Sequence, residues 1–141
     1  MSTFEDVLSD AQAEMVAVSL DYSGHSVDDV YIFQSVENGL FFGSDFFVKD
    51  RRVYGHHLLP GVDTSKERQI ALMTYIRNQV ERFVEAGQEF NRPVPSEFRL
   101  HYNVKANSLD ANYKYGIIYG DNDPSDAVDE WERDVAAELD R

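Results

Sequence analysis

Few side chains in this chain are typed and spaced for chemistry. His56 and His57 are adjacent and could bind a metal or move protons. On the short strand expected over residues 53–57, neighbouring side chains point to opposite faces, so the pair cannot readily share one ion. His25 and His101 are distant in sequence. The pair therefore reads as hydrogen-bonded or solvent-facing imidazoles, with no metal called for. Carboxylates are abundant, 26 in 141 residues, so close pairs will arise by chance. Glycosidase-type chemistry needs two of them at a set separation in a cleft, one with a raised pKa, and no spacing here specifies that.

The segment Asp121-Asn122-Asp123-Pro124-Ser125-Asp126 superficially resembles a calcium loop. It lacks the glycine that such loops carry at their sixth position, and Pro124 suits a helix start better. Asp123 is accordingly expected near a helix N-cap. Phosphate loops, nucleophile elbows and dinucleotide fingerprints are missing, and Gly39, Gly43, Gly55 and Gly61 are scattered over turns and strands. The reading is a non-enzymatic protein without a cofactor or metal. The set Tyr102, Tyr113, Tyr115 and Tyr119 is richer in tyrosine than an inward sheet face usually is. Tyrosines can meet a partner through their hydroxyls, but core packing is the preferred assignment.

The elements that must position these groups follow from periodicity. A first helix is expected over residues 3–20, with Val7, Ala11, Met15 and Val18 on one face, Ser2 and Glu5 at capping-box spacing, and Gly24 as its break. An apolar strand over 30–36 leads to Asn38-Gly39, a strong type I′ hairpin signal. The strand returning over 40–49 has Phe42 and Phe46 on one face and Phe41 and Phe47 on the other, so both faces should be covered. Asp50-Arg51-Arg52 makes a second turn. Thr64 with Glu67 suggests a capping box for a long helix, whose stripe is Ile70, Met73, Ile76, Val80, Phe83 and Val84 and whose C-terminal cap is Gly87. Strands over 98–105 and 109–115 form a further hairpin through Ala106-Asn107-Ser108. A last helix after Pro124 carries Val128, Trp131, Val135 and Leu139 on an otherwise acidic surface. The order α-β-β-β-α-β-β-α predicts one α+β domain spanning 1–141, with helices packed on a single antiparallel sheet of about five strands.

Charge narrows the function. Lys and Arg number 13 against 26 Asp and Glu, a net charge of −13. Residues 1–30 hold seven acids and no Lys or Arg, a net of −7. Residues 31–120 hold ten acids and eleven bases, a net of +1. Residues 121–141 hold nine acids with Arg133 and Arg141, a net of −7. Such a balance argues against direct nucleic-acid binding and against an anionic membrane surface. It equally suits soluble terminal helices or an acidic face offered to a basic protein. With no cysteine there are no disulfides or thiolate sites. No apolar run approaches the ~18 residues of a membrane span, and residues 1–30 lack a basic n-region, so a cytoplasmic location is expected.

With this order in hand, the chain resembles the YezG-like family of bacterial immunity proteins. The likeness covers roughly residues 30–133. It is carried by Tyr31-Ile32-Phe33, Ser44-Asp45-Phe46-Phe47, His57-Leu58-Leu59-Pro60, Gly87, His101-Tyr102, Ala111-Asn112-Tyr113-Lys114-Tyr115 and Trp131-Glu132. The long 116–123 segment and the high Asp content depart from the family pattern. The resemblance implies an antitoxin that binds a cognate secreted toxin, of nuclease type, and occludes its basic groove. The partner-binding candidates are Asp126, Asp129, Glu130 and Asp134 on the last helix, Asp121 and Asp123 before it, then Asp28 and Asp29. The alternative is a secretion chaperone or adaptor that takes a partner peptide on an exposed sheet face or on the Trp131 helix.

Overall fold

Left-handed backbone at two tight turns sets the register of the sheet. Asn38 and Gly39 have φ of 51° and 76°, and Asp50 and Arg51 have φ of 52° and 65°. These are the positive angles a two-residue type I′ turn requires. They leave Glu37 opposite Leu40 and Lys49 opposite Arg52. The computed structural model describes residues 3–141. Its elements are α1 (Phe4–Tyr22), β1 (Asp29–Glu37), β2 (Leu40–Lys49), β3 (Arg52–Gly55), a 3-10 turn (His56–Leu58), α2 (Lys66–Glu89), β4 (Glu97–Asn103), β5 (Ser108–Lys114) and α3 (Ser125–Leu139). The strands form one antiparallel sheet in the order β3-β2-β1-β4-β5. This is the α+β arrangement expected from the sequence.

Strand β1 is central, and its run Val30-Tyr31-Ile32-Phe33 is buried on both faces. On one face Val30, Ile32, Phe47, Phe98 and Leu100 meet Met15, Ile76, Val80 and Phe83 of the paired helices α1 and α2. On the other, Tyr31, Phe33, Phe46 and Val48 meet Val128, Trp131 and Val135 of α3. Trp131 stands edge-on to Tyr31 and Phe46, at 5.4 and 5.0 Å between centroids. The phenylalanines of β2 divide between the two cores as their alternation predicts. From α3 itself the layer buries Val128 and Val135, with Trp131 partly buried, each buried apolar side chain being worth roughly 1.5–3 kcal/mol.

Several local expectations are corrected. Ser2 lies outside the described residues; the capping box of α1 is made by Thr3 and Asp6. The Thr64–Glu67 box is not formed, because the N-cap is Ser65, whose side chain makes no cap bond. Its N–H instead donates to Asp63 Oδ1 at 2.9 Å. Gly87 does not end α2. It is buried inside the last turns, where a Cβ would overlap Val94. The helix ends at Glu89, with Phe90 as its C-cap, followed by Asn91 at φ 52°. Ile70 is exposed, and Leu72 takes the buried place. His56 and His57 lie on the 3-10 turn, not on a strand.

Candidate functional site

Helix α3 is held at both ends by side chains from elsewhere. Before it, the Glu37 carboxylate accepts the backbone N–H groups of Ile118, Tyr119 and Gly120 and orders the approaching loop. Asp123 Oδ1 accepts the Ser125 N–H at 2.9 Å, and this bond holds its carboxyl below the usual range. Pro124 occupies the N-cap position, so the chain is helical from Ser125 onward. At the far end Arg51 donates to the Leu139 carbonyl, a cation at a helix C-terminus where the backbone dipole favours it.

With Val128 and Val135 buried, the helix must turn its polar positions outward. Asp126, Asp129, Glu130 and Asp134 are all exposed. Asp126, Glu130 and Asp134 recur every fourth residue, with Glu138 next in the same row. Successive carboxylates therefore sit about 6 Å apart along the axis. Like charges at this spacing each cost an isolated helix roughly 0.2–0.5 kcal/mol. Among the described residues, none of Asp121, Asp126, Asp129, Glu130 and Asp134 has an ion-pair or side-chain hydrogen-bond partner. Glu132 behaves differently. It is half-buried near Gly55, and burial, then the charge of Asp129, raises its pKa.

The acids of α1 have partners of their own at the protein surface. Glu5 pairs with Arg92 at 3.0 Å and Asp10 with Arg82 at 3.5 Å. Glu14 accepts the Tyr75 hydroxyl at 2.6 Å, and Asp21 faces His25 at 3.0 Å. Asp28 and Asp29 are also engaged. Asp28 Oδ2 accepts the Asp50 N–H at 3.0 Å and buttresses the β2–β3 turn. Asp29 Oδ1 is reached by His101 Nε2 at 2.8 Å and Asn103 Nδ2 at 2.9 Å, which ties β1 to β4. Of the eight candidates, then, five lie on or just before α3 without partners, while Asp123, Asp28 and Asp29 serve turns and strand pairing.

Two acids that sequence reading passed over position the site. Glu37 anchors the loop before α3. Glu97 is 1% exposed, bonded to Arg99 Nε at 3.0 Å, with Lys114 Nζ at 3.7 Å and the Tyr119 hydroxyl also in contact. Burial and this carboxylate push the Tyr119 phenol up to about 12. The Arg99 guanidinium also lies 5.3 Å from the Trp131 ring centroid, linking β4 to α3. The four tyrosines do not form one surface: Tyr102 and Tyr113 pack on the α1–α2 side, Tyr119 on the α3 side, and Tyr115 is exposed. His56 Nδ1 lies 3.1 Å from the Asp45 carbonyl, and burial lowers its pKa.

No helix among the described residues is long and apolar enough to cross a membrane. The chain matches no protein-family model, and a search of curated proteins finds no similar sequence. Chemically, the outer face of α3 offers mainly hydrogen-bond acceptors and negative charge, with Arg133 as its one exposed cation among the described residues. It is suited to Arg and Lys side chains of another protein.

Proposed function

We propose that this chain is a non-enzymatic, cytoplasmic immunity protein of the YezG-like kind, and that it neutralises a cognate toxin, a nuclease, by laying the acidic face of α3 in the toxin's basic groove. A nuclease must carry positive charge where it holds phosphates. A row of fixed carboxylates competes for the same Arg and Lys side chains and blocks access. Complementary fields of this kind speed association, and desolvated charge pairs slow release. The observation that carries the reading is the contrast between helices. The acids of α1 have cap, hydroxyl or ion-pair partners, whereas Asp126, Asp129, Glu130 and Asp134 of α3 are exposed and have none among the described residues, and the row Asp126, Glu130, Asp134 repels itself, a cost that a basic partner would relieve.

The chaperone reading has one observation of its own. A shallow groove of about 320 Å³ runs between α1 and the β4–β5 hairpin, walled by Val16, Leu20, Tyr102 and Leu109. It predicts an apolar partner whose capture ignores salt. The two readings separate in a pull-down with this protein as bait from its native lysate at low and high salt. The immunity reading expects a basic toxin domain whose recovery falls steeply as salt rises. Recovery of an apolar segment at both salt levels would overturn it in favour of the groove.

A further inference from the structure

The two margins of the sheet differ. At one, β3 has only four residues. At the other, β5 runs for seven, from Ser108 to Lys114, without a proline. Among the described residues it pairs with β4 alone. The Lys114 carbonyl accepts the Ser96 N–H at 2.8 Å and so faces β4. Backbone groups alternate in direction along an antiparallel strand, so Leu109, Ala111 and Tyr113 turn their N–H and C=O groups away from the sheet. No turn or loop backbone bonds to them among the described residues. An open row of donors and acceptors is a template for another strand.

The side chains of β5 specify which strand. Its charged residues are Asp110 and Lys114, one of each sign, in a chain of net charge −13. Such a strip offers little to a basic partner, but it is complementary to itself. When two copies of β5 run antiparallel with Asn112 opposite Asn112, Asp110 of each copy stands opposite Lys114 of the other. Asp110 has no ion-pair partner among the described residues. The Lys114 ammonium is exposed, and its 3.7 Å contact with Glu97 leaves it donors to spare. In the same register Ala111 stands opposite Tyr113, and their free backbone groups bond across the seam. Leu109 then faces Tyr115 of the second copy, two side chains that are 38% and 58% exposed in one copy alone. Leu109 also walls the groove beside α1, so that tyrosine ring comes to the groove's mouth. Sliding the register by one pleat in either direction separates both ion pairs.

We infer that β5 is the interface of a symmetric homodimer, in which two copies join edge to edge by antiparallel pairing about Asn112. The axis is twofold, so every contact occurs twice, and the two five-stranded sheets become one. Helix α3 packs over β1, β2 and β3, away from this margin, so both acidic faces stay open. The dimer therefore stands or falls separately from the α3 reading. One strand from each copy makes a small interface, and both copies are strongly acidic. A Kd on the order of 0.1 mM is expected.

Sedimentation equilibrium of the full-length protein at concentrations up to about 1 mM should show a reversible monomer–dimer equilibrium. Ala111→Pro removes an outward N–H and leaves the β4 ladder its donors, while Asp110→Lys sets like charges opposite each other. Each should weaken the dimer at least about tenfold. Asp110 is exposed, so its variant keeps the reading available if proline disturbs the strand. The chain has no cysteine, so single cysteines report the register. The two Asn112 Cα atoms are expected about 4.5 Å apart, within disulfide range. With oxidised glutathione, Asn112→Cys should therefore crosslink at least about tenfold faster than Ser108→Cys, whose two copies lie at opposite ends of the paired strands. Both positions are exposed, so neither change risks the fold. A protein still monomeric at about 1 mM, a dimer indifferent to both Ala111→Pro and Asp110→Lys, or equal crosslinking at the two cysteine positions would each overturn the proposal.

Discussion

A carboxyl group with no exposed surface has to account for its proton. Asp45 is 0% exposed, and its Oδ1 has no partner among the described residues. Its Oδ2 lies 2.5 Å from the Ser19 hydroxyl, which also reaches the Met15 carbonyl at 2.9 Å. Ser19 has one proton to give. Both contacts can be hydrogen bonds only if Asp45 is protonated and donates to Ser19 Oγ while Ser19 donates to Met15. Burial in the same sense pushes the Asp45 carboxyl up to about 7. In the unfolded chain the group releases its proton near pH ~4. The native state therefore holds one more proton across this interval, and stability from Asp45 is full below about pH 4, declines towards pH 7 and is flat above it. The whole effect is on the order of 4 kcal/mol. Asp45→Asn keeps the shape and still offers an N–H to Ser19. It should be more stable than the parent at pH 8 and should flatten the pH dependence between 5 and 7. Denaturant unfolding at several pH values measures this, and an unchanged slope in the variant would contradict the assignment.

At the scale of elements, Gly87 shows where local signals mislead. A glycine late in an apolar stripe looks like a C-cap, and an interior helical glycine normally gains roughly 1 kcal/mol on change to Ala. Inside α2 the missing Cβ admits Val94 from the chain returning towards β4. Gly87→Ala should accordingly destabilise by about 1–3 kcal/mol, the opposite sign to the propensity scale, as read by thermal or urea unfolding. A gain would mean that Val94 can move aside. The same distinction explains what the sequence made legible. Element order, the type I′ turn at Asn38-Gly39, the place of a second turn at Asp50-Arg51 and the two faces of β2 follow from period and turn chemistry, which are local, whereas the left-handed backbone at Arg51 does not. The role of Gly87, the burial of Glu97 and the anchoring by Glu37 depend on segments far away in the chain, and no spacing announces them. The candidate acids divide in the same way. Composition ranks α1 and α3 as equally acidic, but only the packing of α1 against Arg82, Arg92 and Tyr75 of the α2 side reveals that its charges are spent.

For the whole molecule, the net charge of −13 is concentrated by the fold as well as by the sequence. The sheet and α2 carry a near-neutral body, α1 is neutralised in part by that body, and α3 projects its carboxylates from the opposite side. If function rested on total charge, any acidic surface would serve. If it rests on α3, position decides. The direct measurement is the affinity of three proteins for the captured toxin domain by calorimetry at low salt: the parent, the triple variant Asp126→Lys, Glu130→Lys, Asp134→Lys, and a control reversing the exposed α2 acids Glu67, Glu85 and Glu89. Both variants change the net charge equally, and circular dichroism checks that each remains folded. The account predicts that the α3 variant loses at least about a hundredfold in affinity, while the α2 control stays within a few fold of the parent. Equal losses in both, or an α3 variant that still binds like the parent, would contradict it.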